Sequence, residues 1–231
     1  MNLAILQARM SSSRLPDKVM APVLGVPMIG RQVERLRRAK RIDELVVATS
    51  SDPSDDPLAD YCDRQGLAVF RGSLNDVLGR FAGAMAHHVE AKVVIRLTAD
   101  CPLTDGSVID AVVERHLSSG ADYTSNTVVR TYPHGLDVEV ASASALLEAS
   151  REATEAYDRE HVMPFIYHRP ERFHLEGVER TPSLSHLRWT VDVPEDLEFV
   201  RDVYARLYPS DPTFDTAAIA ALAWNSSRAT A

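Results

Sequence analysis

Three cations, three hydroxyls and two distant aspartates have types and spacings suited to phosphate chemistry. Gln7-Ala8-Arg9-Met10-Ser11-Ser12-Ser13-Arg14-Leu15-Pro16-Asp17-Lys18 follows directly on the apolar run Leu3-Ala4-Ile5-Leu6. The run reads as a buried strand and the stretch after it as a loop. Small hydroxyl residues let a backbone approach an anion and add donors of their own. Arg9, Arg14 and Lys18 add fixed positive charge, so the loop suits a polyphosphate. A lone Arg or Lys would read as solvated surface. Three of them just after a central strand carry more weight, because ligands bind there in open α/β sheets. Neither G-x-x-x-x-G-K-S/T nor G-x-G-x-x-G is present.

Asp100 follows the most continuous strand pattern, Val93 to Leu97, and Asp192 follows Arg188-Trp189-Thr190-Val191, read as another strand. Two carboxylates brought from separate strands to one rim suit Mg²⁺, which would bridge a nucleotide's phosphates. Singly, Asp100 reads equally well as an Asx-type turn residue before Pro102, and Asp192 as an N-cap near Pro194. Asp137 and Glu139 form an i, i+2 carboxylate pair on one strand face. They suit a polyhydroxylated substrate or a second metal, and an exposed edge strand explains them nearly as well. Asp158-Arg159-Glu160-His161 places charge at a helix start, where capping plus a surface ion pair competes with a binding role. His134 before Gly135 reads as a loop residue or a ligand contact, and Trp189 and Trp224 as core.

The elements that must position these groups follow from periodicity. Val23 to Pro27 reads as a turn. Met28 to Arg41 reads as a helix with Ile29, Val33 and Leu36 inward and Arg31, Arg35, Arg38 and Lys40 off that face. Leu45 to Thr49 is a strand, Ser50 to Pro57 a polar turn and Leu58 to Gly66 a helix. Ala68 to Phe70 is a short strand. Ser73-x-x-Asp76 has capping-box spacing ahead of a helix carrying Val77, Phe81 and Met85. After Val93 to Leu97, Asp105 or Ser107 caps a helix with Val108, Ile109, Val112, Val113 and Leu117 inward. Alternating strands and helices predict a mostly parallel sheet covered on both faces.

The second half is less regular. Tyr123 to Pro133 reads as loop or edge, Leu136 to Val140 as a half-exposed strand, and Ala143 to Ala156 and Asp158 to Tyr167 as helices. Phe173 to Val178 and Leu187 to Val191 read as strands. Pro194 to Leu207 reads as a helix with a proline and acids in its first turn. Thr216 to Trp224 is a last helix, and the tail after it is expected to be mobile.

The chain has 231 residues, 45% of them hydrophobic, which suffices for one well-cored domain. Its net charge of −8 argues against a nucleic-acid coat or an anionic membrane as partner. Residues 1 to 41 nevertheless hold nine Arg or Lys against two Asp or Glu. A local basic zone in an acidic protein fits a small anionic ligand better than a long anionic polymer. Cys62 and Cys101 have no metal spacing, and His87-His88 lacks a zinc-helix pattern. With no signal peptide and no long apolar run, the expectation is a cytoplasmic protein with free thiols.

Several ordered blocks resemble one family. Q-A-R-M-x-S-x-R-L-P-x-K-V (Gln7 to Val19) is similar to the opening motif of SpsF-like spore-coat polysaccharide cytidylyltransferases. These belong with the CMP-ketodeoxyoctonate and CMP-sialate synthetases in the acylneuraminate cytidylyltransferase superfamily. R-L-T-A-D-C-P-L (Arg96 to Leu103), P-H-G-L-D-V-E-V (Pro133 to Val140), D-R-E-H-V-x-P-F-I (Asp158 to Ile166) and R-W-T-V-D-x-P-E-D-L-E-F (Arg188 to Phe199) resemble further blocks of that family. Ser11 and Asp17 stand where the family usually has glycine, and Ala99 replaces the glycine before the aspartate. Asp17 would put a negative charge inside a phosphate loop.

The resemblance implies a GT-A-like three-layer α/β/α fold, Rossmann-like with a mixed, mostly parallel sheet. It implies a single domain with a sugar-binding or dimerisation subregion around 123–180, and a homodimer. The implied reaction is CTP plus a sugar-acid or related acceptor to CMP-sugar plus pyrophosphate, with Mg²⁺ as cofactor. By motif position, Leu6, Gln7, Ala8, Arg9, Ser12, Arg14, Lys18, Thr98 and Asp100 would bind nucleotide. Arg14, Lys18, Asp100 and Asp192 would carry catalysis, the two aspartates holding the metal. His134, Asp137, Glu139, Glu160 and His161 are the candidates for the sugar pocket. Competing readings are a nucleotidyltransferase using another NTP or a sugar phosphate, and a non-catalytic nucleotide-binding protein of a glycan pathway.

Overall fold

The structure, a computed structural model, describes residues 1–222. Its framework is a sheet in the order β5-β4-β1-β6-β8-β7-β9. The strands are β1 (Asn2–Gln7), β4 (Glu44–Ser50), β5 (Ala68–Gly72), β6 (Val93–Thr98), β7 (Tyr123–Ser125), β8 (Glu139–Ser142) and β9 (Leu175–Gly177). β5, β4, β1 and β6 run parallel, β8 is antiparallel to both β6 and β7, and β9 is parallel to β7. The mixed, mostly parallel sheet expected from the pattern is therefore present.

Leu3, Ala4, Ile5 and Leu6 are all fully buried, because successive side chains in a strand point to opposite faces and both faces here are covered. Ala4 and Leu6 join the core on one face with α1 (Met28–Leu36), α2 (Asp56–Arg64), α4 (Gly106–Ser119) and α8 (Pro194–Leu207). Leu3 and Ile5 join the other with α3 (Val77–Ala86), α5 (Ala143–Glu152) and α7 (Pro164–Tyr167). The remaining elements are the hairpin β2 (Pro22–Val23) and β3 (Val26–Pro27), α6 (Ala156–His161) and α9 (Thr216–Ala221).

Register fixes the working edge. Gln7 is level with Ala48 in β4 and with Thr98 in β6. The loops leaving the carboxyl ends of these three neighbouring strands therefore meet on one rim.

Several expectations are corrected. Helix α1 ends at Leu36, and Arg31 and Arg35 are buried rather than solvated. Their guanidiniums find acceptors inside: Arg31 donates to the carbonyls of Val23 and Leu24, and Arg35 to those of Thr104 and Phe214. Each also lies over a ring, Tyr208 and Phe214 respectively, at 4.4 Å. Helical periodicity cannot register carbonyls arriving from elsewhere. Leu117 is exposed. Val23 to Pro27 is the β2–β3 hairpin, with Leu24 and Gly25 at positive φ. Asp76, not Ser73, caps α3, accepting from the Gly79 amide. Tyr123 to Ser125 is a buried inner strand.

Glu139 lies on β8, an inner strand rather than an edge, and Leu136 to Val138 precede it without strand pairing. The helix read over 158–167 is broken at Val162, whose φ is 73°. Leu187 to Val191 is no strand. It makes one parallel bridge, His134 to Arg188. Trp189 is buried. Trp224, the end of the last expected helix and the tail lie outside the described residues.

That bridge is what brings Asp192 to the rim. The His134 amide donates to Leu187 O, the Trp189 amide to His134 O at 2.7 Å, and the Val191 amide to Asp100 O at 2.8 Å. Gly135 permits the clamp. Its φ is 101°, and an added Cβ would lie 2.8 Å from the carbonyl carbon of Trp189 and 2.9 Å from the amide nitrogen of Thr190. Gly135→Ala is expected to destabilise the protein by about 3 kcal/mol, lowering Tm by roughly 6–12 °C. The backbone carrying Asp192 must move with it. Calorimetry on the purified variant checks the expected loss.

Candidate active site

Helix α8 begins at Pro194, with Asp196 two residues inside it. The Asp196 carboxylate accepts from the amides of Asp192 and Val193 and from Arg188. Burial works against its charge, but Arg188 and the two amides hold its pKa below the usual carboxylate value. The other branch of the Arg188 guanidinium donates to Asp192 at 2.7 Å. Asp192 is thus oriented from behind by a guanidinium and from below by a helix start, and its remaining oxygen faces the rim.

That oxygen meets the cationic loop. Arg14 lies 2.9 Å and Lys18 3.3 Å from Asp192 Oδ1, and Lys18 also sits 3.8 Å from Asp100 Oδ2. The Lys18 ammonium donates to Val191 O as well, at 2.6 Å. Asp100 is steadied by the Thr98 hydroxyl at 2.6 Å. Both carboxylates therefore address one ammonium, at the cavity expected from the chain pattern. Asp192 reaches it from an irregular segment rather than from a strand end.

The cavity has a volume of about 370 Å³. The loop lines it with Gln7, Ala8, Arg9, Ser12, Arg14 and Lys18, and β6 and its extension with Thr98, Ala99 and Asp100. Glu160 and His161 at the end of α6 close it beside Asp192. Leu6 is fully buried in the core and does not line it. Asp17, the departure that would have placed a negative charge among phosphates, is exposed and lines neither this cavity nor its neighbour. Its φ is 59°, in the left-handed region, which accounts for glycine being usual there and for aspartate being tolerated.

A second cavity of about 530 Å³ adjoins the first and shares Arg96, Thr98 and His161 with it. Asp137 and Glu139 line it, and each is paired. Arg130 grips Asp137 through two bonds of 2.7 and 3.0 Å. Arg96 makes a very short ion pair with Glu139, whose other oxygen accepts from the Tyr123 hydroxyl at 2.8 Å. Burial opposes the Arg96 charge, but Glu139 outweighs it and raises the guanidinium pKa. Burial, reinforced by Glu139, raises the Tyr123 phenol well above its ordinary value. Tyr157 and Tyr167 add an aromatic wall, and burial pushes Tyr167 up to about 12. His134 lines neither cavity and serves the backbone clamp instead.

Sequence reading missed Arg96, which lies in a quoted motif but reads as a strand residue. It missed Arg130 and the three tyrosines altogether, since they come from a loop, a strand and two helices with no shared spacing. Cys101 is buried beside Asp100, and burial with that neighbouring charge raises its thiol well above the ordinary range. Burial thus disfavours the thiolate that a nucleophilic role would need. Among the described residues no group of three or more His, Cys, Asp or Glu gathers as a protein-only metal cage would need.

Comparison with known proteins agrees with this geometry. A family profile described as Cytidylyltransferase matches residues 3–209. The spore coat polysaccharide biosynthesis protein SpsF of Bacillus subtilis (strain 168) is 37% identical over 212 residues, 88% of this chain and 86% of that protein. The 3-deoxy-manno-octulosonate cytidylyltransferase of Geobacter sulfurreducens (strain ATCC 51573 / DSM 12127 / PCA) is 33% identical over 111 residues, 48% of this chain and 43% of that protein. Among solved structures, a cytidylyltransferase from Leptospira borgpetersenii serovar Hardjo-bovis (strain JB197) superposes with a TM-score of 0.88 at 29% identity, covering 95% of this chain and 92% of that one. A profile spanning most of the chain and a relative this similar over its length establish that the chain belongs to the cytidylyltransferase family.

Proposed function

We propose that this nucleotidyltransferase moves CMP from CTP to a hydroxyl of a sugar acid or related acceptor, releasing pyrophosphate, in the making of a surface polysaccharide or glycan. The observation that carries the reading is the Lys18 ammonium placed between Asp100 and Asp192, with Arg14 beside it, at the carboxyl rim of the parallel strands. The family and its SpsF relative support CTP as donor and polysaccharide synthesis as the setting. The partial likeness to an octulosonate cytidylyltransferase supports a sugar acid. Homodimeric assembly and a cytoplasmic location belong to the same reading.

The first cavity takes the nucleotide. Gln7, Ala8 and Thr98 offer backbone and side-chain contacts, and Ser12 a hydroxyl donor. Arg9, Arg14 and Lys18 neutralise the triphosphate. The donor set fits magnesium: two carboxylates on one cavity match an ion that keeps several waters and takes its other ligands from phosphate. Asp100 and Asp192 would hold it, and it would supply charge neutralisation and a lowered pKa for the acceptor hydroxyl. Lys18, Arg14 and Arg188 already compensate the two carboxylates. Triphosphate binding would draw Arg14 and Lys18 from Asp192 towards phosphate.

The second cavity takes the acceptor, because it opens onto the first at Arg96, Thr98 and His161. Asp137, Glu139 and the tyrosine phenols offer acceptors and donors to hydroxyl groups. Glu160 and His161 stand where the two ligands meet. The acceptor hydroxyl releases its proton to solvent as its oxygen forms the new bond to the α-phosphorus, the bond from that phosphorus to the oxygen bridging to the β-phosphate breaks, and pyrophosphate leaves against the cations of the loop. Positioning and preorganised charge supply most of the rate.

Asp100→Asn is expected to lower kcat by about two to three orders of magnitude with an unchanged circular-dichroism spectrum. Pyrophosphate release from CTP in the presence of acceptor is the readout, and wild-type turnover in the variant would remove the assignment of Asp100. Chelation of divalent cations should abolish turnover and Mg²⁺ should restore it. In a thermal-shift ranking with Mg²⁺, CTP is expected to stabilise the protein more than UTP, GTP or ATP. A different leader would replace the donor.

A further inference from the structure

The turn after β4 reads as polar, and Asp55 within it is fully buried. Its carboxylate lines neither cavity. One oxygen accepts from the Met10 amide at 2.7 Å, a contact spanning 45 residues of sequence. The other accepts from the Ser50 amide at 3.1 Å and, through a very short bond, from the Ser50 hydroxyl. Three donors on a group that only accepts when ionised suit a carboxylate and no neutral side chain of that size. Arg80, buried nearby, feels the Asp55 charge.

Met10 is the pivot of the cationic loop. Its side chain is buried, and its carbonyl accepts from the amides of both Ser12 and Asp17, at 2.9 and 3.1 Å. The excursion from Ser11 to Pro16 is thereby closed at its base on one peptide carbonyl. Before it, the Ala8 amide still bonds Ala48 O in the sheet, and after it Asp17 O holds the Met20 amide. What Asp55 fixes at Met10 N therefore sets where Arg9, Ser12, Arg14 and Lys18 stand relative to one another.

We propose that Asp55 is a positioning residue for the nucleotide loop: a buried carboxylate that touches no ligand and sets the loop's cationic spacing through the Met10 amide. The inference rests on reading the first cavity as the nucleotide site. An amide at this position can satisfy Ser50 or Met10 but not both, since its NH₂ must face a donor. One buried N–H then loses its acceptor. The loop loosens while the carboxylates of Asp100 and Asp192 keep their own supports.

The test compares Asp55→Asn, the milder Ser50→Ala, and Val113→Ala as a core control on α4, a buried position that lines neither cavity. Each is measured for Tm, for tryptic cleavage after Arg14 under native conditions, and for KM and kcat with CTP. Asp55→Asn is expected to be cut about tenfold faster and to raise KM for CTP about tenfold, with kcat within about threefold. Ser50→Ala should move both in the same direction by less, and it carries the test if Asp55→Asn does not fold. Val113→Ala should lose Tm and move neither. Cleavage and KM unchanged in both loop variants overturn the proposal. Faster cleavage in a protein whose wild type binds no CTP upholds the anchor and overturns the nucleotide reading instead.

Discussion

One ammonium group between two carboxylates organises this molecule's chemistry. Lys18 comes from the first loop, Asp100 from the end of the fourth parallel strand and Asp192 from a segment 174 residues further along the chain than Lys18. Coulomb attraction in a partly buried setting favours their convergence, but it cannot create it. The sheet does that. Parallel pairing at matched register puts three loops on one rim, and parallel pairing requires the crossover helices that cover both faces. The placement of the cationic loop beside Asp100 is therefore inherited from apolar burial that has nothing to do with ligand, and the backbone clamp between His134 and Arg188 delivers Asp192.

The supports behind the site are polar and mostly buried. Asp196 and Arg188 hold Asp192, Thr98 holds Asp100, and Asp55 holds Met10. Each is a carboxylate, guanidinium or hydroxyl that finds its partners within the protein, as burial of such groups demands. They separate two tasks. Arg9, Arg14 and Lys18 line the first cavity, while Asp55, Arg188 and Asp196, which line neither cavity, stand behind it. Preorganisation of this kind lowers the cost of ordering charge when a phosphate arrives.

The two adjoining cavities differ in character. The first is edged by hydroxyls, backbone and the cations of the loop. In the second, Arg96 and Arg130 are already committed to Glu139 and Asp137, and tyrosines supply much of the wall. Arg96 belongs to the wall of both, so a change at that strand residue would be felt on either side. The inner strand β8 makes this possible. By pairing antiparallel to β6 it sets Glu139 directly opposite Arg96.

Much of this was legible from residues alone. The first strand, the cationic loop, the alternating parallel half and helix α8 follow from hydrophobic period and from turn and cap chemistry, which are local. Motif blocks named the family and most residues of the first cavity. What only tertiary structure decided is long-range and polar. Arg31 and Arg35 lie on the polar side of a helical wheel, yet they are buried because carbonyls from Val23, Leu24, Thr104 and Phe214 come to meet them. Asp55 is buried in a stretch that reads as a polar turn, and Leu187 to Val191 looks like a strand but serves as a clamp. Periodicity reports which way a side chain faces on its own element. It carries no record of a donor or acceptor arriving from 45 or 174 residues away, and those arrivals are what place the site.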